Sequence, residues 1–264
     1  MPAFTAKDVQ ALRQSTGVGM LDAKRALEQN EGNIEEATQW LRVQGLASAA
    51  KRADREASQG VVALGSAGAN ASIVQLRSET DFVAKNEDFI AIAQRIADAV
   101  AANGASAIDA FKEEIETLLT TLKENISIGR VEQVLGGDGI VIAPYLHLQS
   151  GRGVNGVLVA VSGADADLAH EIAVHAAFTK PAYLSRDEVP AADVDKERAT
   201  IEEISRGEGK PEASLPKILE GRLNGWFKER CLLEQPYVRD EKQTIAQLLG
   251  DASIVQFAQV IIGA

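Results

Sequence analysis

Three stretches of this 264-residue chain gather residues that are able to do covalent or cofactor chemistry, and each fails on spacing or context. GRGVNG, Gly151 to Gly156, has the G-x-G-x-x-G pattern that lets a backbone approach a pyrophosphate. That use needs a helix directly after the glycines, with its N-terminal N–H groups aimed at the phosphate. VLVAV follows instead, which is strand, so the stretch reads as a flexible hairpin loop. HEIAVH, His170 to His175, has the content of a zinc-binding helix. Zinc needs the two histidines four apart on one face, and five apart rotates the second by roughly 140°. Two helix-surface histidines are the better reading. GGDGI lacks the lysine and Ser/Thr of a phosphate loop. Cys231 is the single cysteine, which allows no internal disulfide and no metal set, and it reads as a small buried apolar residue. With three histidines in all, acid–base catalysis is poorly supplied.

A fourth stretch, SETDFVAKNEDF (Ser78 to Phe89), survives this screening for a different kind of chemistry. Phe82 stands beside Asp81 where an apolar run stops and a helix begins. Either Phe82 packs inward and Asp81 stabilises the helix start, or Phe82 is presented as a wedge. A presented Phe gives roughly 2 kcal/mol when a partner buries it. A carboxylate beside it can compete for the partner's cationic or hydrogen-bonding groups. Composition and pattern alone favour inward packing.

The elements around these residues read as α+β. Thr5 and Asp8 form a capping-box pattern, and Val9 and Leu12 then recur at helical spacing. TGVGM breaks that helix. A second runs from about Leu21 to Gln29, and Asn33 caps a third through Leu41 to about Gly45. Residues 1–46 are thus a three-helix domain. Residues 47–59, small and charged with no apolar period, form a linker that can itself be helical. GVVALG and ASIVQLRS make a hairpin. Phe89, Ile92, Ile96 and Val100 mark one helix, and Ile108 to Leu122 a second. NISIGRVEQVL, GIVIAPYLHL and GVLVAVSG read as strands and ADLAHEIAVHAAF as a helix, which gives two helix-backed antiparallel sheets, the first over 60–137 and the second over 138–186 with 231–264. Two apolar stripes, Val194, Ile201 and Ile204, then Leu215 to Trp226, make an antiparallel helical hairpin over 187–230, inserted before the last strand.

The totals bound the function. Net charge is −11, which argues against nonspecific nucleic-acid binding. Residues 1–55 hold eight Lys/Arg against seven Asp/Glu, and the remainder 19 against 31, an asymmetry that fits a separate N-terminal module. No apolar run approaches the roughly 20 residues of a membrane helix. The N-terminus lacks an apolar signal core, so a cytoplasmic protein with no membrane partner is expected.

Two motifs carry a family resemblance: LRQSTGVGMLDAKRAL (Leu12 to Leu27) and ETDFVAKNEDF (Glu79 to Phe89). PYLHL and EGKPEASLPKILEGRLNGWFKERCLLEQPYV fit as well, in the same order. With these the chain resembles bacterial elongation factor Ts, the guanine-nucleotide exchange factor of elongation factor Tu, from about Thr5 to its end. The resemblance implies an N-terminal domain like ubiquitin-associated domains, two sheet-bearing subdomains, and a projecting hairpin through which some members self-associate. It implies no cofactor, no bond-making chemistry and no direct nucleic-acid contact. Thr80, Asp81, Phe82 and Val83 would be the element that dislodges Mg²⁺ from the partner. Leu12, Met20 and Lys24 would dock on the partner's nucleotide domain. His147, Tyr237 and Val238 would grip its third domain. Lys123 stands where many members have Gly, Arg239 where some carry an apolar residue, and FAQVIIGA replaces a more usual C-terminal strand. Two other functions compete: a non-exchanging or chaperone-like partner of elongation factor Tu, and a small-molecule enzyme using GRGVNG. An intact TDF wedge favours exchange over the first, and the strand after the glycines argues against the second.

Overall fold

Thr5 opens the first helix as its sequence implies. Its hydroxyl accepts from the Asp8 N–H, and the Asp8 carboxylate accepts from the Thr5 N–H at 2.7 Å. In the computed structural model, which describes residues 4–263, this helix is α1 (Ala6–Thr16). It is followed by α2 (Met20–Gln29) and α3 (Ile34–Ala50). Asn33 caps α3 by accepting from the Glu35 and Glu36 N–H groups. α3 runs past Gly45 through the Ala-rich stretch to Ala50, so residues 47–50 of the expected linker are helical. Val9, Leu12, Ala23, Ala26, Leu27, Ala37 and Leu41 form the core of the three helices.

Two compact units divide the chain. The described part of the first comprises residues 4–135, 146–156 and 260–263. Beyond the three helices it holds β1 (Gln59–Ala67), β2 (Asn70–Ser78) and β3 (Ser127–Val134), an antiparallel sheet in that order. The one-turn α4 (Asp81–Ala84), α5 (Glu87–Asn103) and α6 (Lys112–Leu122) connect β2 to β3. Asn86 caps α5 through the Phe89 N–H at 3.1 Å. Phe89, Ile92, Ile96 and Val100 recur at helical spacing and are buried against Val61, Val74 and Leu76 of the sheet.

The second unit comprises Gly136–Tyr145 and Val157–Gln259. Its sheet has the order β4 (Ile140–Gln149), β5 (Arg152–Ser162), β8 (Ser253–Ile261), with part of each strand counted in the first unit. Val157, Val159 and Val161 of β5 alternate toward α7 (Ala166–Thr179), whose Ala169, Ile172, Ala173 and Ala176 close the core. α8 (Ala191–Gly207) and α9 (Leu215–Arg230) pack through Val189, Ile201, Leu223, Phe227 and Cys231. Ile204, expected in this seam, is 49 % exposed. The short β6 (Pro236–Tyr237) pairs antiparallel with β7 (Asp240–Thr244), and α10 (Ile245–Leu249) precedes β8. Helices and antiparallel sheet together give the α+β class. No helix among the described residues is long and apolar enough to cross a membrane.

One contact fixes how α5 lies on its sheet. A Cβ on Gly65 of β1 would come within 2.2 Å of the Ala97 carbonyl carbon and oxygen. Ser72, the register partner of Gly65, donates its hydroxyl to the same Ala97 oxygen at 2.6 Å. Backbone, which cannot move aside, meets the added methyl. Gly65→Ala is therefore expected to destabilise the first unit by at least about 1–3 kcal/mol, read as a lower urea midpoint at an unchanged slope; an unaltered midpoint would show that β1 has room to shift.

Candidate functional site

The turn that carries Phe82 is tied down at its root and open at its tip. Thr80 is the N-cap of α4, and its hydroxyl accepts from the Val83 N–H. The carboxylate of Glu124, 44 residues on, accepts from the Glu79 and Thr80 N–H groups, each at 3.0 Å, and from the Thr80 hydroxyl. In the other direction Glu79 accepts from the Asn125 N–H at 2.6 Å. The Asn125 amide in turn donates to the Ala53 and Arg55 carbonyls. Each strand end thus lends a carboxylate to the other's backbone. Such charge-assisted bonds are the strong ones, at about 1.5–3 kcal/mol each.

Val83 and Ala84 are buried below this root, with Val83 in the Phe89 cluster. Phe82 is 83 % exposed. In a one-turn helix whose next two residues face the core, Phe82 faces solvent, contrary to the inward packing that composition alone favours. Asp81 pairs with Lys85 one turn on, and this hydrogen bond holds the exposed Asp81 carboxyl below its ordinary range. The cleft beside the turn is lined by Thr80, Asp81 and Phe82, and by Gln149, Ser150 and Arg152 of the β4–β5 hairpin. That hairpin is tighter than its sequence suggests: Ser150 (φ 53°) and Gly151 (φ 80°) alone connect the strands. Positive φ at both positions matches the twist of a two-residue turn.

Lys123 ends α6 in the left-handed conformation (φ 58°). That geometry favours Gly, so a lysine holds it at some strain. Its ammonium pairs with Asp22 of α2 at 2.9 Å. The loop that clamps the Phe82 turn is thereby also linked to α2. Met20 (48 %) and Leu21 (82 %) are exposed at the start of α2, and Lys24 is exposed beside Glu28. Leu12 is different. It is fully buried among the three helices, so it holds the bundle together and leaves no side chain for a partner.

His147 is exposed on β4, and Leu148 beside it is 61 % exposed. In the second unit Tyr237 is 5 % exposed, with its hydroxyl donating to Glu171 at 2.7 Å, so its ring is a support and not a contact surface. Val238 is 40 % exposed. Its backbone N–H donates to Nδ1 of His175 at 3.3 Å, and Nε2 of His175 meets the Gln235 side-chain oxygen at 3.0 Å. His175 is fully buried, against the helix-surface reading; His170 is exposed. Arg239 pairs with Glu171 at 2.8 Å. Cys231 is fully buried, and burial pushes its thiol up to about 11, so it stays protonated. Sequence reasoning misses Glu124, Asn125, His175, Leu21 and Leu148. The side-chain partners of the first three lie 44 or more residues away, and the exposure of the two leucines is set by the fold around them.

The chain is an α+β protein with an exposed aromatic on a clamped turn, and no group of three or more His, Cys, Asp or Glu that could hold a metal is found among its described residues. Similarity narrows the class. Residues 79–264 match the family model described as Elongation factor TS. Over the full length of both chains, this one is 42 % identical to elongation factor Ts of Kineococcus radiotolerans and 43 % identical to those of Clavibacter michiganensis and Leifsonia xyli. The chain belongs to the elongation factor Ts family of translation elongation factors.

Two outcomes follow from this geometry. Glu124→Ala removes the acceptor of two backbone N–H groups, so amide exchange at residues 79–83 should speed up by about tenfold or more; unchanged protection would mean that Val83 packing alone holds the turn. Burial lowers the proton affinity of His175 in the fold, outweighing the Gln235 hydrogen bond, and its Nδ1 lone pair is taken by the Val238 N–H. The unfolded chain then binds the extra proton near pH 6.5. Stability of the second unit should be full above that pH and fall as pH drops below it, and His175→Gln should flatten the fall between pH 6.5 and 5.5.

Proposed function

We propose that this chain binds elongation factor Tu carrying GDP and accelerates GDP release by driving Phe82 into the partner. The observation that carries the reading is Phe82 itself, 83 % exposed on a turn whose backbone is fixed by Glu124. A solvent-facing Phe on a rigid support loses little conformational entropy when a partner encloses it. Asp81 is held next to it, its charge balanced by Lys85 until a partner group competes. On this reading Thr80 caps the turn, Val83 anchors it, and Phe82 with Asp81 shifts the partner helices that support Mg²⁺. Loss of a divalent cation beside a diphosphate removes a large local attraction.

The three N-terminal helices, like ubiquitin-associated domains, dock on the partner's nucleotide domain through Met20 and Lys24, to which exposure adds Leu21. His147, with Leu148, and Val238 are the contacts proposed for the partner's third domain; Tyr237 backs Val238, and Leu12 has no contact role. The α8–α9 pair is a surface for self-association. The chain makes and breaks no bond, uses no cofactor, and touches nucleic acid only through its partner. It works in the cytoplasm.

Linkage sets the cycle. A factor that weakens nucleotide binding by some ratio is itself weakened by nucleotide in the same ratio, so GTP entry expels it. A 10³- to 10⁴-fold acceleration takes about 4–5.5 kcal/mol off the barrier. Burial of one Phe supplies roughly 2 kcal/mol, so the docking surfaces supply the rest.

Release of a fluorescent GDP from elongation factor Tu tests this. The chain should accelerate release strongly, and Phe82→Ala should cut the acceleration by about 10- to 100-fold without abolishing it. Acceleration untouched by the substitution would move the mechanism to the docking surfaces. Binding without acceleration would make the chain a non-exchanging partner.

A further inference from the structure

Beside Phe82 lies a guanidinium with no carboxylate bonded to it. Arg152, the first residue of β5, is 8 % exposed. It donates from Nη1 to the Gly60 carbonyl and from Nη2 to the Gln59 side-chain oxygen at 3.0 Å, both neutral acceptors. Its Nε is buried without a hydrogen-bond partner, and no ion pair joins it to a carboxylate among the described residues. Its charge reaches the Asp81 carboxylate from beyond ion-pair distance, but Asp81 is bonded to Lys85, so both hydrogen-bond acceptors of the buried guanidinium are neutral, which is costly. Arg152 lines the same cleft as Thr80, Asp81 and Phe82.

The other charges on this cleft are already matched. Asp81 pairs with Lys85, and Glu79 is engaged by the Asn125 N–H and by Arg55 at 3.5 Å. Arg152 is the charge on this cleft that makes no ion pair of its own and acts on Asp81 only from a distance. Ser150, Gln149 and Gln59 add neutral polar groups around it.

We propose that this cleft is a carboxylate-binding subsite, in which Arg152 receives an acidic side chain of the protein that Phe82 enters. The proposal rests on the exchange-factor reading and deepens it: an anionic residue of the partner seats beside the wedge and fixes its depth and direction. Two observations select this occupant. Both acids on the cleft, Glu79 and Asp81, are in direct ion pairs while Arg152 is in none, and the cleft is continuous with the Phe82 surface, so whatever encloses Phe82 also covers it. A chain of net charge −11 otherwise repels acidic groups, which makes a guanidinium without an ion pair of its own a specific receptor for one.

The test is affinity for elongation factor Tu, measured at two salt concentrations alongside GDP release. Ser150 is exposed at the turn and touches none of the bonds that hold Arg152. Ser150→Lys should tighten the complex and Ser150→Asp weaken it, each by about two- to fivefold and less at high salt. Arg152→Gln should weaken it at least about tenfold and reduce its salt dependence, with the melting temperature checked in parallel. Equal affinity of both Ser150 variants and wild type, with wild type active in GDP release, overturns the subsite and leaves the exchange reading standing. Tighter binding by Ser150→Asp also overturns it. A wild-type chain that neither binds nor accelerates removes the exchange reading and the subsite together.

Discussion

The exchange of carboxylates between Glu79 and Glu124 is the constraint on which the exposed surface depends. β2 ends at Ser78 and β3 begins at Ser127, and between them the chain makes α4, α5 and α6. The two ends meet because Glu124 takes the Glu79 and Thr80 N–H groups while Glu79 takes that of Asn125. These N–H groups have left the sheet ladder, and Glu79 and Thr80 are half-buried. Without the carboxylates they would be orphaned at a cost of about 1–3 kcal/mol each. With them, one local arrangement is selected and α4 starts at a fixed point. Val83 and Ala84 then face the core and Phe82 faces out.

A fixed exposed aromatic is unfavourable for the isolated chain and useful only with a partner. The hydrophobic term that Phe82 forgoes in the free protein is available on binding. Rigidity matters because a floppy Phe would collapse onto the nearest apolar surface and lose part of that term to ordering. The same root serves a second link. Lys123, in a strained left-handed conformation, pairs with Asp22 of α2 just before Glu124 begins the clamp. α2 is thereby joined to the chain one residue from the carboxylate that holds the Phe82 turn. His175 plays a comparable part in the second unit. Both of its ring nitrogens are satisfied, and one of them fixes the Val238 backbone.

Much of the scaffold was legible because its signals are local. The Thr5–Asp8 box, the Asn33 cap and the apolar period from Phe89 to Val100 each lie within a few residues of what they specify. α3 outran its expected end because alanine continues a helix without any apolar stripe to mark it. The direction of Phe82 was not legible from pattern, since the group that decides it is 44 residues away. Leu12 was harder to place, because an apolar residue at helical spacing looks alike from inside and outside a bundle; the fold puts it at 0 % exposure. Tyr237 is similar, since Glu171 satisfies its hydroxyl and allows the ring to be buried. His175 looked like a surface residue because burial of an imidazole requires partners, and these come from residues 235 and 238.

The central claim is that Glu124 acts on exchange through the posture of Phe82. A double-substitution cycle on GDP release from elongation factor Tu tests it most directly, with Phe82→Ala, Glu124→Ala and the pair. If the clamp works by presenting the wedge, each single change slows release and the pair slows it little beyond Phe82→Ala alone. If the two losses multiply, Glu124 serves the partner by some other route and the clamp is not what aims Phe82.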